Sequence, residues 1–518
     1  MVKITIDDKQ IEVAEGTTIL KAAEQEGIHI PHLCYHPAFP SEGNCRMCLV
    51  EIEGLPKLEL ACSTQVRDGM KVSTRSEQVV EARRGVLEFL LAEHPLDCPI
   101  CDKAGECKLQ DYYEEYGLFE SQFNETKEKR AKKTEIGKSL IHDQERCILC
   151  TRCVRFLREV TKTQELGVFN RGLHSEINIY DGVPVNNNYS GNLAEICPVG
   201  AITDSDFRFK TRSWFLKNGE SICPLCSRGC NIVIEHHPGF ARFPVPKRVY
   251  RIKARENQDV NGFWICDLGR YGYSYLNEDR AEEILTNNQE KTGSPSWEEV
   301  RSLIAQKIKS PPYKKIGSRM ALILHSWLSN EEFFLVRKIF QDDLRVEKIF
   351  FVDPPEGEKD GHLLTPERSP NRRGAQEVGF DLKPLDLDAL AKETELLLVF
   401  GHFLLDFFNR AEVRACFEKI GTKILITPHI NESGYLFDMV IPTASIAEKE
   451  GSLTNVDGKI QSFRPVLEPL GASLPEWKAL IDLAKELKIN FDYYRRLYSV
   501  EVILNELRKE IPFFGNKK

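Results

Sequence analysis

The chain lacks the long apolar runs that a membrane-spanning protein needs. None of its windows approaches the roughly 18 uninterrupted apolar residues of a transmembrane helix, so we expect no segment to span a bilayer. The N-terminal stretch MVKITIDDKQIEV is charged and alternating, and it lacks the apolar core of a secretion signal. These features predict a cytoplasmic protein that reaches a membrane only through a partner.

Motifs for nucleotide binding are also missing. No G-x-G-x-x-G run follows a predicted strand, and IGKSL fails as a P-loop because Lys132 occupies the position of the earlier glycine. A net charge of −8 argues against nucleic acid as the main partner. The longest basic run, residues 127–133, is interpreted as a solvated linker, with a docking strip for a partner as the alternative.

Cysteine, in contrast, is abundant. Fifteen of the 16 cysteines lie between Cys34 and Cys266, in tight groups. In a reducing compartment this abundance indicates metal binding rather than disulfide bonds. Only Cys416 stands apart, inside the helix-like stretch RAEVRACFEKI, and we interpret it as a buried structural thiol.

The first group follows a predicted hairpin and a short helix. The hairpin VKITIDDKQIEV turns at Asp7 and Asp8, and the helix TTILKAAEQEG starts at Thr17 or Thr18 and stops at Gly27. This order, followed by a cysteine loop, resembles a plant-type 2Fe–2S ferredoxin domain with a stretched ligand spacing. The predicted ligands are Cys34, Cys45, Cys48 and Cys62.

Small residues in the first cysteine loop support this interpretation. Gly43 and Asn44 would let backbone N–H groups approach the cluster sulfurs and tune the potential. The alternative is a zinc site, which also accepts four cysteines.

Two further groups are complete sets of four. The stretch CILCTRC with a distant Cys-Pro is typical of a 4Fe–4S ferredoxin, and Leu157 replaces the cysteine that would serve a second cluster. This set is Cys147, Cys150, Cys153 and Cys197. The stretch CPLCSRGC with a later cysteine resembles the N-terminal cluster of molybdopterin oxidoreductases, with zinc as the alternative. That set is Cys223, Cys226, Cys230 and Cys266.

The remaining group, in EHPLDCPICDKAGECKLQD, is one cysteine short. It contains Cys98, Cys101 and Cys107, and no unassigned cysteine lies nearby. His94 precedes Pro95, which favours an extended backbone that would direct the imidazole toward the cysteines. Three other histidines belong to the first loop, where no ligand is missing: His29, His32 and His36. We therefore predict His94 as the fourth ligand.

The order of these motifs resembles the G-type iron–sulfur subunit of bacterial NADH–quinone oxidoreductase, respiratory complex I. HPLDCPICDKAGECKLQD and CILCTRC…EICPVGAI are the most specific matches. The resemblance covers at least residues 1–470 and is looser after about residue 270. It implies one 2Fe–2S and three 4Fe–4S clusters, with no catalytic residue on this chain.

The resemblance also implies a role and a location. Electrons from NADH would arrive from a flavin- and NADH-binding iron–sulfur subunit. They would then cross the 2Fe–2S cluster, the four-cysteine cube and the cube with His94, and leave to another iron–sulfur subunit nearer the quinone. The fourth cluster would lie aside from this path. The chain would be peripherally associated with the inner face of the cell membrane through the complex.

The C-terminal half alternates apolar strand-like runs with helical stretches, which predicts a mostly parallel, doubly wound sheet. We predict a capping box at Ser329 and Glu332, and an exposed loop over residues 353–377. PTASIAEKEGSLTNVDGKIQ resembles molybdopterin oxidoreductases, but Leu268 replaces a lysine of the active members, and the domain is short. We therefore expect no molybdopterin.

The predicted fold class is a multi-domain combination of α+β and α/β. The expected domains are a 2Fe–2S ferredoxin-type domain, a histidine-plus-three-cysteine domain, a single-cube ferredoxin-like domain, a molybdopterin-oxidoreductase-type 4Fe–4S domain and a truncated α/β domain. Their ranges are 1–78, 79–118, 135–212, 216–272 and 273–518. The equivalent subunit of an NAD-linked hydrogenase or formate dehydrogenase is an alternative, as are a structural zinc protein and an iron–sulfur redox sensor.

Overall fold

The computed structural model describes residues 1–118, 120–121, 123–239, 247–286, 295–309, 316–401, 406 and 408–515. The chain divides into two compact units, Met1–Leu216 and Lys217–Lys518. Both units mix helices with sheets, which confirms the predicted α+β and α/β class. In the part of the chain that is described, no helix is long and apolar enough to cross a membrane.

A five-stranded sheet opens the first unit. Its strands are β1 (Val2–Ile6), β2 (Lys9–Val13), β3 (Leu49–Ile52), β4 (Glu59–Leu60) and β5 (Lys71–Ser73), in the order β2-β1-β5-β3-β4. The predicted hairpin is present, with Asp7 and Asp8 at φ 44° and 69°. Helix Ile19–Gln25 follows Thr18, whose hydroxyl accepts a hydrogen bond from the Lys21 amide. Alternate aliphatic side chains of β1 and β2 pack with this helix in one core.

Two helices flank the cysteine group that is one cysteine short. The helical segments here are Glu77–Glu93, the single turn Cys98–Ile100, and Lys108–Tyr116. The first helix ends at His94, whose φ of −66° and ψ of 130° are extended, as the following Pro95 predicts. The chain then turns back, so that the cysteines lie between the two helices.

A small sheet and a hairpin frame the next cysteine group. The strands are β6 (Thr134–Gly137), β7 (Leu140–His142), β8 (Leu166–Phe169), β9 (Glu176–Ile179) and β10 (Ile202–Asp204). The sheet order is β10-β7-β6, and β8 pairs with β9. The helical segments are Gln144–Arg146, Arg152–Phe156 with its continuation Leu157–Thr161, Gly172–His174, Asn192–Ile196 and Ser213–Phe215.

The second unit begins with an antiparallel sheet. Its strands are β11 (Lys217–Ile222), β12 (Asn231–His236) and β13 (Val249–Ala254), in that order. Two short helical segments follow, Asp267–Tyr271 and Tyr273–Leu276.

The larger part of this unit is a six-stranded sheet. Its strands are β14 (Leu285–Thr286), β15 (Met320–Leu324), β16 (Lys348–Phe351), β17 (Leu396–Phe400), β18 (Thr422–Thr427) and β19 (Met439–Pro442). The order is β14-β19-β18-β17-β15-β16, and all pairs except β14 with β19 are parallel. A separate hairpin consists of β20 (Gly451–Thr454) and β21 (Ile460–Phe463).

Helices cover both faces of the six-stranded sheet. Alternate residues of β15 belong to two different hydrophobic cores: Leu322 and Leu324 to one, Ala321 and Ile323 to the other. This confirms the predicted doubly wound, mostly parallel arrangement. The helical segments are Trp297–Lys309, Ile316–Arg319, Asn330–Val336 continuing as Arg337–Asp343, Arg372–Val378, Leu387–Ala391, Arg410–Phe417, Glu432–Leu436, Glu476–Leu487, Phe491–Arg496, Val500–Glu510 and Pro512–Gly515.

Local predictions in this half were mostly correct. The capping box at Ser329 and Glu332 is confirmed. Cys416 is confirmed as a buried helical thiol, and its Sγ donates to the Leu387 carbonyl at 3.3 Å. The prediction of an exposed loop over residues 353–377 was wrong in part, because its end is helical and Asn371 is fully buried.

Candidate metal centres

The first set lies in the loop that follows the Ile19–Gln25 helix and in a turn after β4. Its members are Cys34, Cys45 and Cys48, which precede β3, and Cys62, which follows β4. Thiol contacts pair Cys34 with Cys45 and Cys48 with Cys62. A contact from the Cys34 thiol lowers the pKa of Cys45 to about 6, and the Cys48 thiol lowers the pKa of Cys62 to about 6. The backbone N–H groups of Leu33 and Cys34 approach Cys45 Sγ at 3.4 Å. The same thiol contacts, together with burial, raise the pKa of Cys34 and Cys48, so each pair favours a single thiolate. Bound iron would supply the positive charge that stabilises all four thiolates.

The Cys147 set comprises Cys147, Cys150, Cys153 and Cys197, and all four cysteines line one cavity. Leu149 and Thr151 adopt positive φ angles of 52° and 60°, so the CILCTRC loop wraps around this cavity. Burial raises the pKa of Cys147 to about 12 and that of Cys150 to about 11. Raised pKa values mean that deprotonation of these buried thiols is unfavourable. A bound cation would offset this free-energy cost by stabilising the thiolates. Four thiols around a mostly apolar cavity, three of them buried and that of Cys147 partly exposed, fit a 4Fe–4S cluster.

The His94 set comprises His94, Cys98, Cys101 and Cys107, which line a second cavity. His94 is 9% exposed, and its Nδ1 has no hydrogen-bond partner among the described residues. Burial lowers the pKa of His94 to about 4, so the imidazole is neutral, which is the form that binds metal. The structure therefore brings His94 to the three cysteines, and its unpartnered nitrogen fits a ligand role.

A lysine fixes the backbone of His94 from outside the motif. Lys127 Nζ donates to the carbonyls of Leu91, Ala92 and His94, at 3.0 Å to Ala92 and 2.9 Å to His94. These are the free carbonyls at the end of a helix, where a cation is favourable. The interpretation of residues 127–133 as a solvated linker was therefore wrong at Lys127.

Arg155 joins the first set to the Cys147 set. It is 1% exposed, and its guanidinium donates to the carbonyls of Cys34, Cys150 and Pro40, the last two at 3.3 Å. One side chain therefore contacts the ligand loops of both sets.

Arg152 and Asn44 make similar connections. Arg152 donates to the carbonyls of Tyr35, next to Cys34, and Ile196, next to Cys197, the latter at 3.3 Å. Asn44 was predicted to bring its backbone N–H near sulfur, and its N–H contacts Cys34. Its side chain also donates to the Leu149 carbonyl of the Cys147 set at 2.7 Å. These contacts hold the two loops side by side.

Gly200 joins the Cys147 set to the His94 set. It lies three residues after Cys197 and packs directly against Cys101 Sγ. A Cβ atom at this position would overlap with that sulfur. Gly200 also lines the cavity of the His94 set. Only glycine therefore allows this close approach.

The fourth set, Cys223, Cys226, Cys230 and Cys266, lies in the second unit and is 4–5% exposed. The Cys223 amide donates to the Cys230 carbonyl at 2.8 Å, which closes the CPLCSRGC loop. The Gly269 amide donates to Cys266 Sγ at 3.4 Å, and a Cβ on Gly269 would lie 3.2 Å from Cys223 Sγ. Residues 353–377, which were predicted as an exposed loop, contact this site. The Ser227 amide donates to the Glu367 carbonyl at 3.0 Å.

Sequence reasoning missed the residues that connect the sets. Arg152 and Arg155 lie three apart in CTRCVRF, so they share one face of a short helix, and that spacing was an available signal. Gly200 and Lys127 carried no comparable signal, because their contacts are tertiary. Among the described residues, no group of three or more His, Cys, Asp or Glu is arranged to hold a single metal ion.

Five family models match the chain in series. A 2Fe–2S iron–sulfur cluster binding domain matches residues 1–77, and the NADH-ubiquinone oxidoreductase-G iron–sulfur binding region matches residues 83–122. The ferredoxin-like domain of NADH-quinone oxidoreductase subunit 3 matches residues 137–203. A molybdopterin oxidoreductase Fe4S4 domain matches residues 216–278, and molybdopterin oxidoreductase matches residues 371–486.

Curated relatives agree with these models. The G-type subunit of the NADH-quinone oxidoreductase of Rickettsia felis is 40% identical over 341 residues, which cover 66% of this chain and 49% of the relative. The mitochondrial NADH-ubiquinone oxidoreductase 78 kDa subunit of Candida albicans is 40% identical over 305 residues, 59% of this chain and 41% of the relative. The chain thus matches about half the length of these relatives or less.

A solved structure, that of an NAD⁺-reducing NiFe-hydrogenase in the H₂-reduced state, is 33% identical and covers 41% of this chain and 91% of that one. Its TM-score of 0.38 is too low to indicate a shared overall fold. The ordered domain matches and the relatives at 40% identity lead to one conclusion: over the matched two thirds of its length, the chain belongs to the family of G-type subunits of NADH-quinone oxidoreductase.

Proposed function

We propose that this chain is an electron-relay subunit of a complex I-type NADH–quinone oxidoreductase. The observation that carries the proposal is the joining of three cysteine sets within the first unit. Arg155 contacts the loops of Cys34 and Cys150, and Gly200 packs on Cys101. Electron relay requires such adjacent centres, whereas isolated structural metal sites do not.

Each set would hold one cluster. The first set would bind 2Fe–2S, and the Cys147 set, the His94 set and the fourth set would each bind 4Fe–4S. When bound, these groups supply sites that accept and donate single electrons. The chain's own residues bury the clusters, provide ligands and set the potentials through N–H groups and nearby charges.

We propose the partners and the location by analogy with the family. The sequence has no recognisable nucleotide motif, so NADH and flavin would bind a partner iron–sulfur subunit. A second iron–sulfur subunit would accept electrons and pass them toward quinone. The chain would lie at the inner face of the membrane through these partners.

Anaerobic purification of the full chain tests the cofactor content. We expect iron and acid-labile sulfide in the ratio of one 2Fe–2S to three 4Fe–4S clusters, and the corresponding EPR signals after reduction. A colourless protein that contains zinc and no labile sulfide would refute the relay.

The assembled complex tests the physiological role. We expect co-purification with membrane subunits and NADH-dependent quinone reduction. Co-purification with a hydrogenase or a formate dehydrogenase subunit, and electron transfer from hydrogen or formate, would instead establish the alternative assembly.

We further propose that the C-terminal domain contributes packing rather than molybdenum chemistry. Leu268, 41% exposed, stands where active members of the molybdopterin family have a lysine. Elemental analysis should find no stoichiometric molybdenum or tungsten. Either metal at one atom per chain would overturn this proposal.

A further inference from the structure

His142 is a buried histidine without a role in any of the predicted ligand sets. It is the last residue of β7 and is 1% exposed. Neither of its ring nitrogens has a hydrogen-bond partner among the described residues. Leaving buried polar atoms unpaired is costly, so native structures usually provide such atoms with a partner, which can be a bound group.

The position of His142 indicates what that partner is. The side chain lines the same cavity as the four thiols of the Cys147 set. A 4Fe–4S cube takes one protein ligand per iron, and the four cysteines already supply that number. His142 is therefore not needed as a ligand, and what it offers to the cavity is an N–H group.

We propose that His142 donates an N–H···S hydrogen bond to a sulfur of the cluster bound by the Cys147 set and thereby raises the potential of that cluster. His142 is a positioning residue that acts through the cluster sulfur. The inference rests on the proposed function only in requiring that this set binds a 4Fe–4S cluster.

The sign follows from charge. Reduction adds an electron to the cluster and increases the negative charge on its sulfurs, so a fixed donor stabilises the reduced form more than the oxidised form. An imidazole carries at least one N–H in both its neutral and its protonated form, so His142 can donate in either state. The contrast with His94 is clear: His94 completes a set with three cysteines, whereas His142 lies beside a complete set.

Redox titration of the full chain followed by EPR tests the proposal. The signal of this cluster is identified as the one lost in Cys147→Ser. In His142→Leu we expect the ratio of reduced to oxidised cluster at a fixed applied potential to fall about tenfold, which for one electron is about 59 mV. His142→Gln, which keeps an N–H donor, should stay close to the wild type. Exposed His174 provides the matched control His174→Leu, which should leave the potential unchanged.

Pulsed EPR on the wild-type chain gives a readout that does not depend on a variant assembling its cluster. With ¹⁵N-labelled histidine, the reduced cluster should couple to one histidine nitrogen and to one proton that exchanges in D₂O. Both couplings should vanish in His142→Leu.

Three results would overturn the inference. These are a wild-type cluster without ¹⁵N coupling, an unchanged potential in an assembled His142→Leu variant, or equal shifts in the Leu and Gln variants, which would indicate packing alone. Absence of any 4Fe–4S signal from the Cys147 set in the wild type would refute the proposed function itself, and is distinguishable from these results.

Discussion

Single residues set the chemistry of each site through charge and contact. As the proposed fourth ligand, His94 would contribute a neutral nitrogen where the other sets have an anionic thiolate, so its cluster would carry one negative charge fewer. Fewer negative charges favour the reduced form, as histidine ligation does in Rieske centres. Burial of His94 maintains that neutrality, since it lowers the pKa to about 4.

The first prediction concerns this ligand. His94→Cys should lower the potential of its cluster, because the thiolate restores a negative charge. We expect a shift of about 59 mV or more, a tenfold change in the reduced-to-oxidised ratio. The measurement is an EPR redox titration after cluster assembly has been confirmed, with His174→Cys as the control. An unchanged or higher potential would contradict the charge argument.

The second prediction concerns Gly200. Gly200→Ala places a methyl group against Cys101 Sγ and adds overpacking strain of about 1–3 kcal/mol. We expect loss of the EPR signal from the His94 set when iron and sulfide are supplied as for the wild type, with the signal of the Cys147 set reduced less. The control is Gly85→Ala, where an added Cβ has no neighbour within 4 Å. Selective loss of the EPR signal of the Cys147 set would show that the contact between Gly200 and Cys101 does not govern assembly at the His94 set.

Whole elements are held in place by buried charges in the second unit. Lys449 Nζ donates to Glu332 at 2.8 Å and to Glu476 at 2.7 Å, and all three side chains are at most 5% exposed. Glu332 belongs to the capping box of helix Asn330–Val336, and Glu476 begins helix Glu476–Leu487. One ammonium group therefore links the starts of two helices.

The third prediction removes that link. Lys449→Met leaves two buried carboxylates without their cation and should destabilise the second unit by about 3–5 kcal/mol. Lys459→Met breaks an exposed pair with Asp259 and should cost about 1 kcal/mol or less. Hydrogen exchange of the amides in helices Asn330–Val336 and Glu476–Leu487, measured in the full chain, gives the change in unfolding free energy for each variant. Equal effects of the two substitutions would show that burial does not strengthen the pair.

Sequence patterns predicted elements better than they predicted contacts between elements. The hairpin turn at Asp7, the extended backbone at His94 and the capping box at Ser329 are local, so residue type and spacing suffice. The cysteine spacings likewise indicated which thiols would lie together. The contacts of Lys127 and Gly200 connect segments that are distant in sequence, and periodicity contains no information about them. For Arg155, the spacing from Arg152 indicates a shared helix face but does not identify the loops that this face contacts.

At the scale of the molecule, the three joined sets belong to the first unit and the fourth set belongs to the second unit. The first unit has its own cores and ends at Leu216. The predicted domain boundaries at residues 212 and 216 fall close to this point.

The fourth prediction uses that boundary. A chain truncated after Leu216 should fold and should give EPR signals of one 2Fe–2S and two 4Fe–4S clusters. The potentials should match those of the same clusters in the full chain within about 30 mV. This is about half of the 59 mV that corresponds to a tenfold change in the reduced-to-oxidised ratio. The control is the full chain with Cys223→Ser, which should lose only the fourth cluster. Failure of the truncated chain to retain its clusters would show that the first unit depends on the second.

Under the proposed function, the short helix Arg152–Phe156 would influence the rate of electron transfer between the first set and the Cys147 set. Its two arginines are anchored to the loops of both neighbouring centres, so thermal displacement of one loop carries the other with it. Tunnelling between redox centres decays steeply with the gap between them, and fluctuations of that gap would make the rate uneven. By anchoring both loops to one short helix, the two arginines would limit variation of that gap.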